Sequence, residues 1–134
     1  MIPDVAPVVR DFLLTDGPVN ALVADRVHIL RRPVDAVYPL ILLTPFAQLS
    51  VSHHIDRTVD TTLQIEGFGA TEEDEATAWT VTATAQDRLR GGLISYHHAD
   101  GRVSAVIPET GLQFLPDDEH HKARCVSTLR LIAY

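Results

Sequence analysis

Between Val59 and Glu66 the residues alternate, with Val59, Thr61, Leu63 and Ile65 on one side and Asp60, Thr62, Gln64 and Glu66 on the other. Period two predicts a half-buried strand. Gly67-Phe68-Gly69 is expected to break it, because two glycines permit a sharp turn. Thr71 is the expected N-cap of a helix. Glu72, Glu73, Asp74 and Glu75 crowd its first turn, where unpaired N–H groups and the positive end of the dipole favour negative charge. That helix is predicted to run to about Arg90. Arg88 and Arg90 then sit at its negative end, and Gly91-Gly92 supplies the C-cap. Ala78, Val81, Thr82, Ala85 and Leu89 form one stripe toward the sheet, and Ala76, Trp79 and Ala83 form a second apolar strip beside it. Trp79 then either caps the edge of the core, the plainer reading for a large aromatic, or meets a neighbouring subunit.

Around this strand–helix unit the remaining elements follow from the same patterning. Val5, Val8, Val9, Phe12 and Leu13 recur at helical spacing and predict a helix over 4–14, stopped by Thr15-Asp16-Gly17-Pro18. Residues 19–23 read as a further helical turn and 26–30 as a short strand, followed by a loop over 31–35. The dense apolar run within 37–46 predicts a buried strand, with Pro39 and Pro45 placed at its ends. The polar stretch 48–57 either extends a hairpin into the Val59 strand or projects from the fold. Strand-like runs over 92–98 and 102–107 flank Ala99-Asp100-Gly101, a hairpin signal. A short strand over 110–115, a charged loop over 116–121 and a closing strand over 123–134 complete the chain.

Two main helices are too few to cover both faces of a parallel sheet. The expected class is therefore α+β, a single domain over 1–134 with an antiparallel or mixed sheet, both helices on one face, and a projecting hairpin or loop. With 134 residues and 46% hydrophobic content the chain can bury one core. Its mean hydropathy is +0.06, and no apolar run approaches the roughly 18 residues of a membrane span. The N-terminus lacks the pattern of a signal peptide, so an unsecreted soluble protein is expected. Cys125, the single cysteine, reads as a small core residue. A net charge of −7 argues against gripping nucleic acid through its phosphates, though not against letting DNA slide past.

Catalytic signatures are missing: there is no P-loop, G-x-S-x-G, H-E-x-x-H, C-x-x-C or Gly-rich dinucleotide motif. Three histidine pairs, His53-His54, His97-His98 and His120-His121, invite a zinc reading, with help from Asp100 or Asp118. Each pair lies in a polar connecting segment, so solvent-exposed histidines are the plainer reading. Asp117-Asp118-Glu119 lacks the ligand spacing of a calcium loop and reads as a solvated turn. No catalytic residue, metal ligand or cofactor is assigned, and an enzyme is not expected.

The order of these elements resembles the tail terminator, or tail completion, family of long-tailed bacteriophages. The resemblance is carried by Val8-Val9-Arg10-Asp11-Phe12-Leu13, by 19–27, by Tyr38-Pro39-Leu40-Ile41, by 63–69 with the acidic-start helix, and by the closing 127–134. It implies a structural virion protein at the head-proximal end of the tail, assembled in the host cytoplasm. Such a protein would form a ring, as a homohexamer, on the major tail tube protein and stop its polymerisation. It would also offer a surface to head completion or stopper proteins, with DNA passing through the lumen unbound and no membrane involved. Alternatives are another head–tail connector or stopper, and a small histidine-based metal-binding domain. No functional residue transfers by motif. By position, His53, His54, Asp56 and Arg57 are expected to contact the tube or an adjacent subunit, and Trp79 and Arg90 to contact a neighbouring copy.

Overall fold

The computed structural model describes residues 4–50 and 59–134. Its elements are α1 (Val5–Thr15), α2 (Gly17–Val23), β1 (Val27–Ile29), β2 (Leu40–Ser50), β3 (Val59–Phe68), α3 (Glu75–Gly92), β4 (Val103–Phe114) and β5 (Arg124–Ala133), with a 3-10 turn at Leu93–Ser95. The strands make one open sheet in the order β1-β2-β3-β5-β4. β1 runs parallel to β2 and the other neighbours are antiparallel, so the sheet is mixed and the fold is α+β. β2 and β3 pair out to Ser50 opposite Val59. Residues 51–58, which include His53, His54, Asp56 and Arg57, lie outside the described residues, and with them the expected projecting hairpin or loop.

The period-two reading of β3 holds, and it decides which face is covered. Leu63 and Ile65 share a face with Ile41 and Leu43 of β2 and with Leu129 and Leu131 of β5. Onto that face pack Val8, Val9, Phe12 and Leu13 of α1 and Val81, Ala85 and Leu89 of α3. A fully buried Leu or Ile contributes about 1.5–3 kcal/mol, so this layer is the main source of stability. On the other face a second cluster covers one end, where Leu40, Leu42 and Phe68 lie under Ala36 and Tyr38 of the β1–β2 connection. Cys125 is fully buried, as a small core residue should be, and burial pushes its thiol pKa up.

Four boundaries differ from the expectation, each for a reason of packing. The strand does not break at Gly67: it continues to Phe68, with Gly67 opposite both Ile41 and Cys125. Gly67 serves close approach, since a Cβ there would run into Thr82 Oγ1 and come within 2.9 Å of the Ala78 carbonyl on α3. Gly92 likewise provides room, because its Cβ would meet the Phe12 ring at 2.9 Å, and α3 runs on through it with Leu93 as the C-cap. Residues 92–98 form no strand. Instead the 3-10 turn leads to a single bridge between His98 and Gly101, and β4 takes β5 as its partner over a 12-residue length with three register shifts. Pro45 lies inside β2 opposite Leu63, beyond the end of β1, where no strand among the described residues calls on its missing N–H.

The helix cap also moves. Asp74, not Thr71, caps α3, accepting the Thr77 N–H at 3.4 Å and that of Ala70 at 3.1 Å. Glu72 and Glu73 fall in the preceding turn, and Glu75 is the acidic residue of the first helical turn. Asp74→Ala is expected to cost about 1 kcal/mol, read by urea unfolding. A matching Thr71→Ala change should have less effect, and the reverse order would reinstate the cap expected from sequence.

Candidate interaction surface

A buried polar cluster ties two connections together at the covered end of the second face. Arg32 donates to both carboxylate oxygens of Asp117 at 2.9 Å, to Glu119 at 3.1 Å and to the Tyr38 hydroxyl at 3.2 Å. Its guanidinium also lies 4.3 Å from the centre of the Phe68 ring. The Arg32 and Asp117 side chains are only 5% and 3% exposed. Asp117 accepts further hydrogen bonds from the backbone N–H groups of Glu119, His120 and Lys122. Burial alone would raise the Asp117 pKa. The bonds from Arg32 and from the Lys122 and His120 backbone outweigh it and hold the carboxyl well below the usual carboxylate range. The tyrosine hydroxyl contacts His120 Nδ1. This overturns the solvated-turn reading of Asp117-Asp118-Glu119 for Asp117. A run of acids signals a loop, but only the fold brings a guanidinium 85 positions away onto one of them.

Trp79 and Arg90 lie on one flank of α3, the flank that faces the edge strand β4. Trp79 is 44% exposed and packs against Phe114 with ring centroids 5.8 Å apart. Further along, Ala83, Gln86, Asp87 and Arg90 line a shallow depression with Leu112 of β4. Trp79 thus forms half of an exposed aromatic pair at the rim of α3 and β4. Phe114 was not legible as its partner, because nothing local marks a strand residue that reaches a distant helix. Beside the pair, a groove of about 240 Å³ is lined by Glu72, Glu75, Phe114, Leu115, His121 and Lys122, among others.

Of the described histidines, His98 and His120 have separate partners. His98 Nδ1 accepts the Asp100 N–H at 3.0 Å, which leaves Nε2–H to donate to Asp11 at 2.6 Å. His120 sits by Tyr38 and Glu119, and His53-His54 fall outside the described residues. Among the described residues, no three His, Cys, Asp or Glu side chains are grouped as metal ligands would be. Two cross-strand ion pairs, Arg124 with Glu66 and Arg130 with Asp60, decorate the second face of the sheet. No helix is long and apolar enough to cross a membrane among the described residues.

A chain in the solved virion of a native gene transfer agent particle has the same fold, with a TM-score of 0.68 over 93% of this chain and 90% of that one, at 16% identity. No curated protein matches the chain. The family model described as tail completion protein gp17 matches residues 7–130, and the chain accordingly belongs to that family of structural phage tail proteins.

Proposed function

We propose that this protein closes the head-proximal end of a phage tail tube as a homohexameric ring, stops tube polymerisation and presents a surface to head completion proteins. The match to the tail completion family over 7–130 is the observation that carries the reading. An open sheet with an exposed aromatic pair beside its edge strand fits a subunit that finishes its burial by assembly. The net charge of −7 fits a lumen whose carboxylates repel the phosphate backbone, so that DNA passes without sticking. Arg57 and the neighbouring His53, His54 and Asp56 are assigned to tube or subunit contact, and Trp79 and Arg90 to contact with a neighbouring copy.

The test is light scattering with negative-stain imaging, alone and with purified tube protein. Sixfold rings at tube ends, together with tubes of fixed length, are the expected result. A ring of other symmetry that ignores the tube would favour the connector reading, and no tube binding at all would remove the proposal. Arg57→Glu and Arg90→Glu should each weaken ring or tube binding with the unfolding midpoint unchanged. Intact assembly in both would withdraw those residues.

A further inference from the structure

We propose that the connections over 30–38 and 115–122 are the two jaws of a clasp, closed by the Arg32–Asp117 pair, which opens and shuts as one body while the helical layer stays folded. Both connections lie at the same end of the sheet, and a cleft of about 420 Å³ runs between them. Leu30 and Arg31 line one wall and Pro116 and Asp118 the other, over a floor that includes Leu42 and Phe68.

Neither jaw is held by a ladder of backbone bonds. In the first, Arg31 N–H donates to the Ile29 carbonyl at 2.8 Å and Ala36 N–H to the Pro33 carbonyl at 3.1 Å, both contacts within a turn. In the second, the N–H groups of Glu119, His120 and Lys122 turn to the Asp117 carboxylate. That jaw rejoins the fold where Leu115 N–H donates to the Arg124 carbonyl and Ala123 N–H to the Thr71 carbonyl. The apolar cluster under the first jaw is small and separate from the core beneath the helices: its buried members are Leu40, Leu42 and Phe68. Val34 and Val37 of the same jaw are exposed and add no burial. A segment with so little apolar burial and so few interior backbone bonds opens at a lower free energy than the core.

One desolvated set of contacts joins the jaws. Arg32 bonds both oxygens of Asp117 across the cleft, and the second jaw also reaches Tyr38 on the first: His120 Nδ1 meets the hydroxyl, and Lys122 Nζ lies 5.0 Å from the ring centre. Tyr38 in turn packs edge-on against Phe68, with ring centroids 6.2 Å apart. If one jaw lifted alone, it would leave the other jaw's charge in a site built to exclude water, since the Arg32 and Asp117 side chains are 5% and 3% exposed. A buried charge without its partner is costly, whereas both charges are hydrated if the jaws leave together. The cost of separate motion makes the opening cooperative, and opening uncovers Leu40, Leu42 and Phe68.

Amide hydrogen exchange of the full chain, read residue by residue by NMR across a series of low urea concentrations, tests this. The Arg31 and Ala36 amides of one jaw and the Glu119, His120 and Lys122 amides of the other are expected to share one opening free energy with little urea dependence. That value should lie below the one for the fully buried Ile65 and Leu129 of the core. Arg32→Lys keeps the charge but loses the two-pronged geometry. It should speed exchange at Glu119, His120 and Lys122 by about tenfold, the equivalent of one charge-assisted hydrogen bond, although those amides bond Asp117 and not residue 32. Ile65 and Leu129 should be unmoved. Different opening free energies for the two jaws, or an Arg32→Lys effect confined to Arg31 and Ala36, would make them independent loops and overturn the inference. Exchange of all these amides through global unfolding alone would overturn it too, because the connections would then belong to the core.

Discussion

Asp117→Ala is expected to lower the unfolding free energy by about 3 kcal/mol, the lower part of the range for removing one partner of a buried ion pair. The loss arises because Arg32, 5% exposed, keeps its charge in a site that no longer neutralises it, with only the outer Glu119 carboxylate left. Three backbone N–H groups lose their acceptor as well. The double change Arg32→Met with Asp117→Leu should recover much of that loss, since an apolar pair of similar volume requires no desolvated charge. Urea unfolding of the three proteins decides the matter. A loss below about 1 kcal/mol for Asp117→Ala would class the pair with ordinary surface ion pairs.

The same pair gives stability a defined pH dependence. The folded-state pKa of Asp117 is depressed below the value of about 3.9 expected in the unfolded chain. Its contribution is therefore complete above that pH and is lost as acid carries the pH down toward the folded value. Asp117→Asn should accordingly flatten the fall in stability below about pH 4 relative to the parent protein.

Gly67→Ala should cost about 2–3 kcal/mol, the scale of overpacking a closed core. The added methyl would strike Thr82 Oγ1, and behind it the Ala78 carbonyl at 2.9 Å and the Thr82 N–H nitrogen at 3.0 Å, so the backbone of α3 must lift from the sheet. Thr82 cannot simply rotate away without loss, because its buried hydroxyl bonds the Ala78 and Cys125 carbonyls. Gly91→Ala is the matched control: among the described residues nothing lies within 4 Å of its added methyl, and alanine should stabilise that helical position by up to about 1 kcal/mol. Opposite signs for two glycine-to-alanine changes would show that close approach, not glycine itself, makes Gly67 necessary. Equal effects would remove that explanation.

Local pattern was enough to establish much of this protein. Alternation fixed the buried face of β3, because side chains along a strand point to opposite sides whatever surrounds it. Helical spacing fixed the stripe from Ala78 to Leu89 on α3 and the apolar face of α1. The order and lengths of these elements were also enough to suggest the family. What sequence could not show depended on segments meeting at long range. Gly67 and Gly92 read as turn and cap residues, yet their role is set by Thr82 and Phe12, which only the packed fold brings against them. Asp117 read as solvent-facing because acids usually are, until Arg32 and three backbone donors enclosed it. Residues 103–114 looked like two short strands, and only pairing with β5 makes them one, since register shifts interrupt the local pattern without ending the ladder. The Trp79–Phe114 pair is of the same kind: hydrophobic periodicity tells which side chains leave the core, and tertiary structure alone decides which of them meet.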